Sequence, residues 1–150
     1  MDKIKVNIKN EQDIFKPDVN KMKEITRYVL EKEGCKETEV SILLTEDDRI
    51  RQLNKRYRNT DETTDVLAFY QQKNKKEALR YNLLGDVVIS TETAKRQAKE
   101  YNQPLLKEFY LYLIHGLLHL LNYKDETSQD YQNIKEKQEQ LLKEVWKKEN

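Results

Sequence analysis

The spacing of hydrophobic and polar residues along the chain predicts four strands. Apolar and polar side chains alternate at about 3–9 and again at 39–45, which is typical of strands with one buried face. Two further apolar runs, DVLAFY at 65–70 and LLGDVVIS at 83–90, predict the third and fourth strands. The polar run QQKNKKE at 71–77 is interpreted as the loop between them.

Apolar residues three and four positions apart predict three helices before residue 103. The first begins after Asp18, a residue type that caps helix N-termini, and ends at Gly34. The second is short and follows Thr45, and the third covers about 91–102. The residues expected to face inward from these helices are Met22, Ile25, Val29, Ile50, Leu53, Tyr57, Ala94, Ala98 and Tyr101.

Two more helices complete the chain. One opens at Pro104 and is apolar almost all round through Leu121, so we expect it to be the central, buried helix. The last runs from Ser128 to about Lys148. Its residues available for packing are Tyr131, Ile134, Leu141, Val145 and Trp146. Four strands and five helices that do not strictly alternate predict an α+β fold, with a mixed sheet of about four strands, in one hydrolase-like domain spanning 1–150.

The overall composition excludes several classes of protein. The chain has 28 basic and 27 acidic residues and a formal net charge of +1, so nucleic acid would have to bind through a local basic patch. A single cysteine, Cys35, excludes an intramolecular disulfide framework and suits a reducing compartment. The N-terminus lacks the apolar core of a signal peptide, and the most apolar stretch, Phe109 to Leu121, is too short to span a bilayer. We therefore expect a cytoplasmic protein with no membrane partner.

The two histidines of the chain, His115 and His119, lie four residues apart on the predicted central helix. Side chains at this spacing point from the same face of a helix, and two neutral imidazoles can then bind one metal ion. The alternative is that both are core residues, hydrogen-bonded to backbone carbonyls or tyrosines. We favour the metal site because this spacing rarely arises by chance and because a carboxylate follows at ligand spacing.

A third metal ligand is expected just beyond the helix. Asn122 tolerates the left-handed conformation that turns a chain sharply, and such a turn would bring Asp125 back beside the histidines. The pattern His115-x3-His119-x5-Asp125 matches the spacing of some zinc proteases. Gly116 stands where a peptidase of the HExxH type has its general base, which disfavours peptidase chemistry. We expect this glycine to serve the close approach of another segment or of substrate.

Three segments, in the same order, resemble the motifs of a known family. They are LNKRYRNTDETTDVLAFY at 53–70, LLGDVVISTETAKRQAKEY at 83–101 and HGLLHLLNYKDE at 115–126. The last is similar to H-G-x-L-H-L-x-G-Y-D-H, the signature of the YbeY family of bacterial rRNA maturation factors. The resemblance implies a compact α+β fold and a single-strand-selective, metal-dependent endoribonuclease with one zinc ion. It also implies a role in 3′-end maturation of small-subunit rRNA and in ribosome quality control. The partners would be single-stranded RNA and the small ribosomal subunit, with no DNA.

The chain departs from the family signature at three positions. Asn122 stands for a glycine, Lys124 for an aspartate and Asp125 for the third histidine. Asparagine preserves the turn, and carboxylate oxygen is an acceptable zinc ligand. The resemblance therefore implies that Asp125 joins the two histidines as a ligand of Zn²⁺. Glu126 is the alternative third ligand.

A local basic cluster supplies candidate contacts to RNA. Arg58 matches the arginine of the family's L-N-x-x-Y-R segment, and we expect it to contact the reacting phosphate through two hydrogen bonds. The alternative is a surface arginine in a salt bridge. Lys55 and Arg56, together with Arg58, are expected to hold backbone phosphates. The basic residues that could extend this track are Lys73, Lys75, Lys76 and Arg80.

The roles of two acidic residues remain open. Asp65 and Asp86 lie at predicted strand ends, where each either orients a ligand histidine or organises a turn, and a structural role is favoured for Asp86.

Two rival functions also remain open. The first rival function is a zinc hydrolase acting on peptides or another small substrate. The second is a ribosome-associated binding module whose metal is structural or vestigial.

Overall fold

A mixed four-stranded sheet forms the middle of the structure, a computed structural model that describes residues 3–70, 83–124 and 126–149. The strands are β1 (Ile4–Asn10), β2 (Thr38–Thr45), β3 (Val66–Tyr70) and β4 (Leu83–Ser90). Their order across the sheet is β1-β2-β4-β3. The first three in that order are parallel, and β3 pairs antiparallel with β4 at the edge, with Val66 opposite Ile89. The four predicted strands are confirmed.

Five helices lie in the described part of the chain. They are α1 (Val19–Lys32), α2 (Asp47–Arg58), α3 (Thr91–Glu100), α4 (Leu105–Leu120) and α5 (Ser128–Glu149). The predicted α+β fold class is therefore confirmed. α4 is the central helix, since it contacts α1, α3, α5, β3 and β4 and buries side chains on nearly every side. None of the described helices has the length and apolar character needed to cross a membrane.

Side chains along each strand alternate between the two faces of the sheet, and the two faces are covered by different helices. Inward-facing residues such as Val40, Ile42 and Val87 join the main core with α1, α4 and α5. On the opposite face a smaller cluster forms beneath α2, around Ile50 and Val88. α4 with its histidines therefore lies on the thicker side of the sheet, whereas α2 approaches from the other side.

Tyr57 and Tyr101, predicted to face inward, and Tyr131, predicted to be available for packing, are exposed, so the prediction was wrong at these positions. The exposed fractions are 58% for Tyr57, 62% for Tyr101 and 57% for Tyr131. Each lies near a helix end: Tyr57 is the next-to-last residue of α2, Tyr101 caps α3, and Tyr131 lies in the first turn of α5. The apolar spacing of a helix continues to its ends, but the neighbouring elements that would cover those positions do not reach that far. Tyrosine can stay exposed there because its hydroxyl hydrogen-bonds to water.

Asp47, at the start of α2, ties that helix to the end of β4 and the start of α3. Its carboxylate accepts hydrogen bonds from the hydroxyls of Ser90 (2.6 Å) and Thr93 (2.7 Å) and from Arg96 Nη1 (2.6 Å). Burial alone would raise the pKa of the Asp47 carboxyl. The hydrogen bonds from Ser90, Arg96 and Thr93 outweigh burial and hold the pKa below its ordinary value.

Replacing Asp47 with Asn is expected to lower the free energy of unfolding at neutral pH by about 1–3 kcal/mol, because charge-assisted hydrogen bonds are lost. The carboxyl has a lower pKa in the folded chain than in the unfolded chain. Its stabilisation is therefore present well above about pH 4 and disappears as the pH falls through the folded pKa. Urea denaturation from about pH 7 to about pH 3 should show the difference between wild type and Asp47→Asn narrowing in acid.

The exposed neighbour Asp48 supplies the control for this prediction. Asp48→Asn removes the same charge from the same turn of α2 but leaves the Asp47 contacts in place. It should change the free energy of unfolding by less than about 0.5 kcal/mol. A difference between wild type and Asp47→Asn that stays constant across the pH range would contradict the assignment.

Candidate active site

The side chains of the two histidines of α4 face each other on one side of the helix. The Nε2 atoms of His115 and His119 are 2.9 Å apart, and the ring centroids are separated by 4.5 Å at an interplanar angle of 74°. Both side chains are half-buried. The i, i+4 spacing predicted a shared face, and the structure brings the two nitrogens together on that face.

The histidines line a cleft of about 430 Å³ between α4, β3 and the turn after α4. The polar side chains that line it are Arg58, Thr64, Asp65, His115, His119, Tyr123, Lys124 and Glu126. The cleft therefore combines nitrogen and carboxylate groups with two cations. Asp125, the predicted third ligand, lies outside the described residues.

Gly116 is the point at which α4 touches the sheet. A Cβ atom at this position would lie 2.6 Å from Val87 Cγ1 and 3.0 Å from Val66 Cγ2. The first distance is too short for a Cβ atom unless Val87 shifts, and the second is tighter than most Cβ contacts, so glycine lets the helix lie this close to β3 and β4. The expected close approach of another segment is thus the approach of these two strands, and it places the flanking histidines beside β3.

The chain turns sharply after α4, as Asn122 predicted. Asn122 has φ +73°, and the backbone N–H groups of Asn122 and Tyr123 donate to the carbonyls of His119 and Leu118. The Tyr123 hydroxyl donates to Glu33 Oε1 of the segment after α1 at 2.6 Å. This hydrogen bond and burial raise the pKa of Tyr123 to about 12, so the hydroxyl stays protonated and the turn stays anchored at neutral pH.

Arg58 reaches the same cleft from the last turn of α2. Its Nη2 donates to the carbonyl oxygen of Ala68 at 2.6 Å, and its guanidinium carbon lies 5.5 Å from the centre of the Phe69 ring. These contacts fix an exposed cation against β3 while the hydrogen bond to Ala68 uses one of its five N–H donors. The structure therefore places Arg58 in the same cleft as the histidine pair.

The other two members of the predicted basic cluster do not line this cleft. Lys55 is exposed on α2, with its Nζ 4.0 Å from Asp61 Oδ2. The Arg56 guanidinium lies 5.3 Å from the centre of the Tyr57 ring. Neither residue is among those that border the histidines. The residues proposed to extend the basic track, Lys73, Lys75, Lys76 and Arg80, lie outside the described residues.

The two aspartates at strand ends take different positions. Asp65 lines the cleft, and its Oδ1 accepts hydrogen bonds from Val66 N at 2.7 Å and Thr64 Oγ1 at 3.2 Å. This pattern fits the interpretation that it organises the turn into β3. Asp86 projects from the face of β4 opposite to Val87, the residue that meets Gly116, so it does not border the cleft.

One residue of the site was missed by the analysis of the sequence. Gln138 Oε1 of α5 lies 2.6 Å from His115 Nδ1. A signal was present: Gln138 continues the stripe formed by the buried residues Ile134, Leu141 and Val145, so it is a polar residue at a core-facing position. Gln138 and His115 are 23 residues apart in the sequence, and periodicity does not reveal which residues of two packed helices meet.

The fold and the site together define a class: α+β proteins whose buried helix presents a histidine pair to a cleft at the edge of a mixed sheet. The chain belongs to the family described as Endoribonuclease YbeY, whose profile matches residues 6–146. The solution structure of TM1509 from Thermotoga maritima is similar, with a TM-score of 0.66 at 26% identity, covering 97% of this chain and 90% of that one.

Curated relatives agree with this assignment. A protein named Endoribonuclease YbeY from Syntrophotalea carbinolica is 34% identical over 139 residues, covering 91% of this chain and 93% of its own. Another of that name, from Persephonella marina, is 44% identical over 108 residues, covering 72% of this chain and 70% of its own. The resemblance found in three segments thus extends along nearly the whole chain.

Gly116→Ala tests the contact between α4 and the sheet. Helix propensity alone would make alanine more stable by about 1 kcal/mol, but the new methyl group meets Val87 and Val66. We expect the free energy of unfolding to fall by about 1–3 kcal/mol, as measured by urea denaturation. Val87→Ala removes the nearest methyl groups, so the double variant should be less destabilised than the sum of the two single variants. Additive effects, or a stabilised Gly116→Ala, would refute the contact.

Proposed function

We propose that this protein is a metal-dependent endoribonuclease that cleaves single-stranded RNA in the cleft at His115 and His119. The observation that carries the proposal is the pair of facing Nε2 atoms in the same cleft as Arg58, in a chain that belongs to the Endoribonuclease YbeY family. Within the cell we assign it to the cytoplasm, to 3′-end maturation of small-subunit rRNA and to ribosome quality control. Its partners would be rRNA and the small ribosomal subunit.

The histidine pair supplies two nitrogen ligands of the kind zinc prefers, whereas the described residues contain no group of three or more His, Cys, Asp or Glu side chains that could hold a metal ion. Nitrogen atoms bound to a tetrahedral zinc at about 2.0–2.1 Å are about 3.3 Å apart, and the two Nε2 atoms stand at 2.9 Å, so a small side-chain rotation suffices. Asp125 is the proposed third ligand because the turn at Asn122 follows directly after α4. Glu126, which lines the cleft, is the alternative. Three protein ligands would leave a position for water or substrate.

Phosphodiester hydrolysis requires groups that hold the phosphate and offset its developing charge. A zinc ion supplies Lewis acidity toward phosphoryl oxygen and makes water a better nucleophile at neutral pH. Arg58 supplies the protein's own cation: the Ala68 carbonyl holds its guanidinium, and its remaining N–H groups can bind two phosphate oxygens. Lys124, on the opposite wall, adds a second positive charge. Lys55 and Arg56 would contact phosphates farther along the strand.

The half-buried position of the histidines supports a preference for single strands. The histidines are half-buried, so the reacting phosphate must enter between β3 and the turn after α4. A single strand can bend its backbone into such a space and turn its bases outward. A base-paired duplex is stiffer, so its backbone bends less readily into such a space.

Cleavage of a labelled single-stranded RNA is the decisive measurement. We expect wild-type protein to cut it, a chelator to abolish the activity and added zinc to restore it. His119→Ala, prepared identically, should lose the activity because it removes one of the two facing nitrogens. The same RNA annealed to its complement should be cut much more slowly.

The outcomes of this measurement separate the rival functions. Equal cleavage by wild type and His119→Ala would overturn the assignment of the site. No cleavage by either protein, with tight binding to ribosomes, would favour the binding module. Chelator-sensitive hydrolysis of peptides without cleavage of RNA would favour the hydrolase of another substrate class.

Arg58→Ala tests the phosphate contact separately from the metal. We expect the rate of RNA cleavage to fall by about 100- to 1000-fold while zinc content stays unchanged, because the guanidinium acts on the phosphate and not on the histidines. Arg58→Lys should recover only part of the rate, since lysine keeps the charge but lacks the paired donors.

The exposed Arg49 supplies a matched control, because it lies on the same helix and lines the other face of the sheet. Arg49→Ala removes an equal charge and should retain the wild-type rate. Thermal unfolding of all the variants shows whether loss of the contact to Ala68 has altered the fold. Equal rates for Arg58→Ala and Arg49→Ala would remove Arg58 from the reaction.

A further inference from the structure

His115 makes its second contact outside the cleft, with α5. Its Nδ1 lies 2.6 Å from Oε1 of Gln138, and its Nε2 faces the Nε2 of His119. Both side chains of the contact are half-buried. The two nitrogens of one imidazole therefore face different partners, an amide oxygen on one side and the second histidine with the cleft on the other.

This arrangement determines which ring nitrogen carries the proton. An amide oxygen only accepts hydrogen bonds, so the short contact requires Nδ1 to donate its N–H. In a neutral imidazole the lone pair then lies on Nε2. We propose that Gln138 is a positioning residue that locks His115 in the Nδ1–H tautomer and presents its Nε2 to the metal. The proposal rests on the function proposed above, since it concerns the same site.

The position of Gln138 in α5 supports a role beyond packing. Ile134, Leu141 and Val145 lie on the same stripe of the helix and are buried, so an apolar residue would continue the stripe. A polar side chain there loses hydration and must recover a hydrogen bond, which here comes from His115. A residue chosen for stability alone would be leucine. Glutamine instead gives His115 a fixed orientation.

The nature of the side chain also matters. Glutamate would accept the same hydrogen bond and increase the basicity of the imidazole, but it would place a negative charge on the core-facing stripe of α5. Leucine fills a similar volume and offers no acceptor. Comparing Gln138→Glu with Gln138→Leu thus separates the effect of the hydrogen-bond acceptor from the effect of side-chain packing.

The tautomer can be observed directly in the metal-free protein. Long-range ¹H–¹⁵N correlation spectra at about pH 8, where imidazoles are neutral, distinguish Nδ1–H from Nε2–H forms. We expect His115 to be in the Nδ1–H form in wild type and in Gln138→Glu. In Gln138→Leu the Nε2–H form should become populated. His119→Ala assigns the signals of the two histidines.

Zinc affinity, measured by competition with a chelating dye, is the second readout. Gln138→Leu is expected to bind zinc about 10- to 100-fold more weakly, and Gln138→Glu to retain the affinity. Gln132 supplies the matched control, since it is exposed on the same helix and donates to Glu136 at 2.9 Å. Gln132→Leu should change neither the tautomer nor the affinity. Urea denaturation should show that Gln138→Leu remains folded, so that a loss of zinc affinity does not reflect a loss of the fold.

Failure of this inference is distinguishable from failure of the proposed function. If wild type binds zinc, and Gln138→Leu has the same affinity and tautomer, the positioning role of Gln138 is overturned while the metal site stands. If wild type binds no zinc, the metal-dependent function fails. The spectra still test the role of the contact with Gln138. A shift to the Nε2–H form in Gln138→Leu supports the proposal that Gln138 fixes the tautomer of His115, and an unchanged spectrum refutes it.

Discussion

The close contact between Gly116 and the valines of β3 and β4 determines where the candidate site lies. A helix packed on a sheet normally stands off by the length of its side chains, but here α4 comes near enough that a Cβ atom would overlap Val87. His115 and His119 flank this contact, so they are carried to the edge of the sheet where β3 begins. Arg58 reaches that edge from the opposite face, by hydrogen bonding to the β3 carbonyl of Ala68. The cleft is thus a consequence of one missing side chain.

Polar contacts between distant parts of the chain hold the walls of the cleft in place. Tyr123 anchors the turn after α4 to Glu33, near the end of α1, and Gln138 of α5 holds the far side of the His115 ring. Each contact is at least partly shielded from water, where breaking it would leave a polar group unpaired. The ring of His115 is therefore oriented by a residue of another helix, which limits the rotamers open to it. Such support is what a site needs if its ligand atoms are to stay aimed at one point.

How much of this could be predicted from the sequence depended on the range of each interaction. Alternating apolar residues predicted the first two strands, and continuous apolar runs predicted the other two strands and the buried central helix, because such patterns are local and burial enforces them. The histidine pair was predicted for the same reason, since residues at i and i+4 must share a helix face. Periodicity does not show how far the neighbouring elements extend, so the exposure of Tyr57, Tyr101 and Tyr131 was not predicted. It also could not pair His115 with Gln138, whose contact depends on how α4 and α5 pack.

Two positions break the local rules of their helices, and both lie next to the histidines. Gly116 interrupts α4 with the residue that costs a helix about 1 kcal/mol against alanine, and Gln138 places an amide on the core-facing stripe of α5. Neither choice is explained by the stability of its own helix. Both are explained by the position and orientation of the histidines: the glycine lets α4 approach the sheet, and the glutamine orients one ring. Where a residue is unfavourable for its own helix or strand, it therefore indicates a part of the molecule that serves the function.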